Sequence, residues 1–206
     1  MNFTLEVLIK KKYEHKHITR LISFKGGIYM KDAKEIASTV TSASVDKLLW
    51  YTTYVNNAIL FTPLKKEILL KINSFSDSVK DLFYNVFGEV RLVDNLLDAI
   101  HQGDTLFAAY VEAVATDSPE TSAVQLKWSE ANKKIAYYLS ELSTFWTYTK
   151  WQEMLTNNVD LFMGLTTSLK KKNYTEFTNI IPICRKVALE MADYMSEGII
   201  MQNKNT

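Results

Sequence analysis

Apolar residues recur every three or four positions from residue 32 to residue 200, which is the spacing of one face of an α-helix. Few helix breakers interrupt this pattern, because the 206 residues include three prolines and six glycines. One such face consists of Ile68, Ile72, Phe75, Val79, Leu82, Phe83 and Val86. Short connections between long amphipathic helices make successive helices antiparallel neighbours. The sequence therefore predicts an all-α, up-down antiparallel bundle of four or more helices.

Local signals predict where these helices begin and end. Asp32 and Ser44 are candidate N-caps of two successive helices. Breaks are predicted at Pro63, after Gly88, at residues 116–119 and at residues 143–147. Gly103 and Asp104 either break their helix or are tolerated within it. Pro182 lacks an amide hydrogen, so the last helix is expected to kink or restart there.

The first 31 residues differ from the rest, and we separate them as a basic N-terminal arm, 1–31, from a helical domain, 32–206. The arm carries seven basic and two acidic residues, a charge of +5, which leaves −4 on the remainder. Two structures remain open for it: a strand followed by a hairpin at Gly26 and Gly27, or a helix over residues 4–22. Met30 is an alternative start of translation. A basic arm is able to contact an anionic surface, although a solvated segment is the simpler interpretation.

Composition also bears on location. The single cysteine, Cys184, lies in an apolar helical pattern, so we expect a core residue in a protein from a reducing compartment. The longest uncharged stretch, residues 48–64, is too short and too polar to span a bilayer, which takes about 20 apolar residues. No signal-peptide pattern is found at the amino terminus. We therefore expect a cytoplasmic protein without a membrane span, and no nucleic-acid partner.

Polar side chains interrupt the apolar faces at a few positions of the helical domain. They are Thr53, Asn57, His101, Asn132 and Asn158. A buried amide or hydroxyl costs about 1–3 kcal/mol unless it is hydrogen-bonded. Two interpretations follow: an internal hydrogen-bond network that fixes the helix register, or a small polar pocket at the centre of the bundle.

Motifs that carry catalysis or bind a cofactor are not found in the sequence. It contains no glycine-rich phosphate loop and no Gly-x-Ser-x-Gly elbow. Metal sites in helical bundles draw on several inward His and Glu residues, and the helical domain has one histidine, His101. The pair His15 and His17 lies in the arm and is interpreted as solvated. We therefore expect neither a metal nor another cofactor, and no catalytic residue.

Three segments carry a resemblance to a known family. They are residues 128–139 (WSEANKKIAYYL), 151–155 (WQEML) and 188–200 (ALEMADYMSEGII). In order and spacing they resemble a family of small bacterial helical-bundle proteins from spore-forming Gram-positive bacteria. The resemblance covers residues 120–202, is fainter over 45–119 and does not extend to 1–44. It implies an all-α bundle.

Members of that family often bear the label acetylglutamate kinase. Amino-acid kinases of that type are larger α/β proteins with glycine-rich phosphate loops, whereas this chain has six scattered glycines and no strand–loop–helix pattern. We expect no kinase activity.

The family pattern also implies a metal site, to which this chain does not conform. Thr53 and Asn158 stand where the family has histidines, and Arg185 and Lys186 stand where it has acidic residues. His101 matches a further family histidine only with a one-residue shift. The resemblance therefore implies a scaffold that has been retained after its ligands changed.

Three functions remain in view. The first is a non-catalytic binding or structural bundle. The second is a bundle that binds a metal or small molecule, and the third is a protein that contacts an anionic surface through its arm. The chain has more tyrosine and tryptophan residues than the apolar helix faces account for. Aromatic residues on outer faces are suited to contacts between copies of a chain, so formation of a homo-oligomer stays open.

Overall fold

The computed structural model describes residues 32–88 and 90–204, and all regular structure in these ranges is α-helical. The six helices are α1 (Ala33–Ile59), α2 (Lys65–Phe87), α3 (Val90–Ala115), α4 (Thr121–Leu142), α5 (Tyr148–Lys170) and α6 (Tyr174–Lys204). The predicted all-α class is confirmed. In the described ranges, no helix combines the length and the apolar character needed to cross a membrane. Residues 1–31 lie outside the described ranges. The predictions made for this arm (a strand and hairpin or a helix, a solvated histidine pair, and contact with an anionic surface) therefore stay predictions.

Each helix packs against its neighbour in sequence, and α1 also packs against α6. The connecting segments are two to five residues long. Helices joined this closely must run antiparallel to lie side by side, so the six form an up-down bundle that closes between its first and last members.

Helix α1 agrees with the sequence at its start and differs in its middle. Asp32 caps it, because the Asp32 Oδ1 atom accepts a hydrogen bond of 2.7 Å from the Glu35 amide. The predicted second start at Ser44 is wrong, since the helix passes through it without interruption. Val40 and Tyr51 are buried on both sides of that position, so one continuous apolar face outweighs a local capping signal.

Helix α6 also continues where a break was expected. It runs unbroken through Pro182, so the predicted restart is wrong. Pro182 is exposed, as is Thr178, whose carbonyl has no amide hydrogen to accept from at position 182. Phe177 and Cys184, seven residues apart, are buried on one face before and after the proline. The packing of that face keeps the two segments in register.

The core consists of two clusters stacked along the bundle. The Trp151 cluster contains residues such as Phe83, Leu96, Leu139, Trp146, Trp151 and Ile199. The Phe107 cluster contains residues such as Tyr51, Ile72, Phe107, Trp128, Phe162 and Leu165. Every helix contributes to at least one of them, and the space between them holds the candidate site.

Candidate ligand cavity

A cavity of about 110 Å³ lies between the two clusters and is lined by side chains from all six helices. Its lining includes Ser44, Lys47, Tyr51, Phe75, Gly103, Asp104, Trp128, Asn132, Trp151, Leu155, Asn158, Phe162, Ala188, Met191 and Met195. Pockets between the helices of a bundle are a common location for ligands. Most of this lining is apolar, and a few polar groups interrupt it.

Asp104 is the charged centre of the cavity wall. Its side chain is 1% exposed, and its Oδ1 atom lies 2.6 Å from both the Lys47 Nζ and the Tyr51 hydroxyl, which donate to it. Its other oxygen, Oδ2, is buried without a hydrogen-bond partner among the described residues. One side of this carboxylate is therefore doubly satisfied, while the other keeps its acceptor capacity.

Burial dominates the protonation of this group. Removal from water raises the pKa of Asp104 above its usual value, and the positive charge of Lys47 and the hydrogen bonds from Lys47 and Tyr51 offset part of this rise. Burial, followed by the charge of Asp104, raises the pKa of the Tyr51 phenol. Tyr51 therefore stays a neutral donor to the carboxylate.

Trp151 supplies a second unpaired polar atom. The residue is fully buried, and its Nε1 atom has no acceptor among the described residues. Its ring is held by an edge contact to Trp146 (centroids 5.9 Å apart) and a tilted contact to Tyr194 (5.1 Å). The indole N–H is thus fixed in place by packing.

Aromatic contacts fix the Asp104 side of the wall as well. The Tyr51 ring stacks on Phe107 with centroids 3.8 Å apart and meets the edge of Phe162 at 5.0 Å. The Lys47 Nζ atom lies 4.6 Å from the centre of the Phe75 ring, which is cation–π distance. Lys47 is thereby held at the edge of the cavity, with 21% of its side chain exposed.

The structure brings together two of the five polar residues singled out from the sequence. Asn132 and Asn158 both line the cavity. The Asn132 Nδ2 atom donates to the Trp128 carbonyl at 3.0 Å. Asn158 makes no side-chain hydrogen bond within the described ranges, so the predicted internal network does not include it.

The other three residues are not part of the lining of this cavity. Thr53 donates to the Leu49 carbonyl at 2.7 Å and Asn57 to the Thr53 carbonyl at 2.9 Å, both within α1. His101 is exposed. Thr53 and Asn57 share a face of α1 with Leu49 and Leu60, and these two leucines are 57% and 60% exposed, so this apolar spacing does not mark the buried face.

The sequence pattern did not identify Lys47, Tyr51 and Asp104 as site residues. The signal was present, because Asp104 lies four residues after Ile100 and three before Phe107, on an apolar face. Of the two readings left open for Gly103 and Asp104, the structure has α3 running through both. A charged residue at an inward position needs a partner, and Lys47 on α1 provides it.

Within the described ranges, no group of three or more His, Cys, Asp or Glu side chains is arranged to hold a metal ion. Cys184 is 1% exposed and lies outside the cavity lining, as expected for a core residue. Burial raises the pKa of its thiol to about 11.

Compared with protein-family models, curated proteins and solved structures, the chain has no match. The resemblance to the spore-former bundle family stays a prediction.

Proposed function

We propose that this protein is a non-catalytic helical bundle that binds a small molecule in the cavity between its two core clusters. One observation carries the proposal. Three buried side-chain polar atoms lack a partner in the described ranges, and two of them, Asp104 Oδ2 and Trp151 Nε1, belong to residues that line this one cavity.

The energetic argument is that such a site works against stability. An unsatisfied buried polar group costs about 1–3 kcal/mol. A cavity of about 110 Å³ costs roughly a further 2–3 kcal/mol at about 24 cal/mol per Å³. Together these are a large fraction of the 5–15 kcal/mol typical of a whole domain. A bundle with a purely structural role gains stability by closing such a space, whereas a binding protein requires it.

The non-catalytic part of the proposal rests on the chemistry of the lining. Its two ionisable side chains of opposite charge, Lys47 and Asp104, are paired at 2.6 Å. Each neutralises the other, which leaves neither poised as a general base or nucleophile. The Cys184 thiol is not part of the cavity lining and, with its raised pKa, stays protonated at neutral pH.

The test is a thermal-shift measurement with single-ring compounds, including benzene, toluene, phenol and benzyl alcohol. The variant Ser44→Leu places a larger side chain in the cavity lining, and Ser42→Leu is its matched control on the exposed face of α1. A ligand that binds the folded state raises Tm with concentration. We expect a shift for the wild type and for Ser42→Leu, and a reduced one for Ser44→Leu.

Two outcomes would contradict the proposal. If no compound shifts the wild type, and native mass spectrometry of gently purified protein shows the bare mass alone, the cavity holds nothing but water and the proposal is wrong. Equal shifts for Ser44→Leu and Ser42→Leu would place binding elsewhere.

A further inference from the structure

The polar groups of the cavity specify what a ligand must present. Asp104 Oδ2 is a carboxylate oxygen and accepts hydrogen bonds without donating any while it is ionised. Its neighbour Oδ1 is already occupied by Lys47 and Tyr51. A molecule that satisfies Oδ2 must therefore carry an O–H or N–H donor at that point.

The charge balance of the lining selects against ions. Lys47 already neutralises Asp104, so a cationic ligand at Oδ2 would add a second positive charge near the Lys47 ammonium. An anionic ligand would meet the carboxylate, and the remaining described lining offers no other basic side chain. Because an unpaired ion is costly in such surroundings, the donor belongs to an uncharged group.

The walls and the volume determine the size and shape of the ligand. Phe75, Trp128, Trp151 and Phe162 present aromatic rings to the cavity. An apolar protein cavity of about 150 Å³ is known to hold benzene, and this one is smaller at about 110 Å³. Its lining is not fully closed from solvent, because 21% of the Lys47 side chain is exposed. The space therefore suits one ring. The unpaired Trp151 N–H is satisfied either by an oxygen on that ring or by its π face.

Resting on the proposed function, we infer that the ligand class is an uncharged single-ring hydroxyaromatic, whose hydroxyl donates to Asp104 Oδ2. A phenol meets every requirement of the lining. It is flat and apolar except for one hydroxyl, and that hydroxyl stays protonated at pH 7, since its ordinary pKa is about 10.

The test compares five compounds of similar size on the full chain, using quenching of tryptophan fluorescence confirmed by calorimetry. Phenol has a neutral donor, anisole has an acceptor only, toluene has neither, and benzoate and benzylammonium are charged. A hydrogen bond to a buried carboxylate predicts that phenol binds about tenfold tighter than anisole and toluene. Both ions should bind more weakly than toluene.

A variant assigns the preference to Asp104. In Asp104→Asn the amide oxygen can take the place of Oδ1 beside Lys47, which leaves an NH₂ donor where Oδ2 was. The preference of phenol over anisole should then fall to about twofold or less. Asp98→Asn, on the exposed face of the same helix, should leave the tenfold preference intact.

The outcomes separate the two proposals. If toluene or anisole binds as tightly as phenol, the cavity binds small molecules but the hydroxyl recognition is wrong. If benzylammonium or benzoate binds more tightly than toluene, the charge argument is wrong. If none of the five compounds binds, both the proposed function and the inferred ligand class are wrong. The wild-type series decides the ligand class even if circular dichroism shows that Asp104→Asn does not fold.

Discussion

Within the described ranges, three residues other than glycine adopt left-handed backbone geometry, and each follows a helix at the same end of the bundle. They are Phe61 (φ 55°), Asp117 (φ 54°) and Lys172 (φ 59°), after α1, α3 and α5. After α5, the Asn173 amide donates to the Ser168 carbonyl and the Lys172 amide to the Leu169 carbonyl. This is the Schellman pattern, in which glycine usually occupies the left-handed position. Residues with a Cβ atom are strained there.

The strain at Lys172 leads to a stability prediction. Lys172→Gly should raise the free energy of unfolding by about 1 kcal/mol, because glycine takes positive φ without the steric penalty of a Cβ atom. Lys171→Gly is the matched control, since Lys171 has φ −79° and glycine there only adds unfolded-state entropy. Urea denaturation of the two variants measures the difference. A destabilised Lys172→Gly would contradict the strain argument.

At the scale of helices, the pair Lys47–Asp104 joins α1 to α3 in the interior. Lys47→Met should lower the free energy of unfolding at pH 7 by about 3–5 kcal/mol, since it leaves a buried carboxylate without its counter-ion. The double variant Lys47→Met/Asp104→Asn should recover part of that loss. Additive losses in this double-mutant cycle would show that the two side chains do not act as a pair.

The same variant carries a pH dependence. Lys47 lowers the pKa of Asp104, so its removal raises that pKa further above the unfolded value of 3.8. A folded state that holds a proton the unfolded state releases loses stability as pH rises between the two values. The penalty of Lys47→Met should therefore be smaller near pH 4 than at pH 7. Urea denaturation at the two pH values checks this, and an equal penalty at both would argue against a buried carboxylate.

Close packing between α6 and the α4–α5 loop predicts the effect of one added methyl group. A Cβ atom on Gly198 would lie 1.9 Å from the Trp146 Nε1 atom, which donates to the Tyr194 carbonyl at 3.0 Å. Because the indole is buried and fixed, Gly198→Ala should destabilise the protein by about 1–3 kcal/mol or more. Thermal denaturation of Gly198→Ala and the wild type measures this loss of stability.

Gly164→Ala is the control for that substitution. Its Cβ atom would meet only the Ile180 Cδ1 atom, at 3.3 Å, which is the end of a flexible side chain. Higher helix propensity offsets that contact, so the change should stay within about 1 kcal/mol. Equal destabilisation of the two variants would mean that Trp146 is not held against α6.

At the scale of the whole molecule, buried phenols make the fold sensitive to alkali. Burial raises the pKa of Tyr51, Tyr54 and Tyr110 above the ordinary 10.0. Above pH 10 the unfolded chain releases these protons while the folded chain keeps them, so the free energy of unfolding falls as pH rises. Each such group contributes up to about 1.4 kcal/mol per pH unit.

Tyr110→Phe isolates one of these groups. The Tyr110 hydroxyl makes no hydrogen bond within the described ranges, so the variant removes the titrating proton without breaking one. Its stability should fall less steeply than that of the wild type between pH 10 and pH 11, measured by urea denaturation. Identical slopes would show that Tyr110 ionises freely in the folded state.

The sequence by itself determined the class of the fold and most helix ends. Apolar periodicity and signals such as Asp32, Pro63 and Gly88 act within a few residues of one another, and the structure follows them. The helices continue through Ser44 and Pro182, although each residue locally favours a boundary. A continuous buried face stabilises a helix more than the local preference of one residue destabilises it.

The candidate site was decided by tertiary structure. Asn132 and Asn158 can each be identified from the pattern of a single helix, because an amide on an apolar face stands out without knowledge of the neighbouring helices. The triad of Lys47, Tyr51 and Asp104 depends on which face of α1 meets α3, over 53 residues of separation. A shift of one residue in helix phase turns the side chain by about 100°, which is why Thr53 and Asn57 were placed inside. Helix phase is set by the packing of all six helices together, and that information is not local to any segment of the chain.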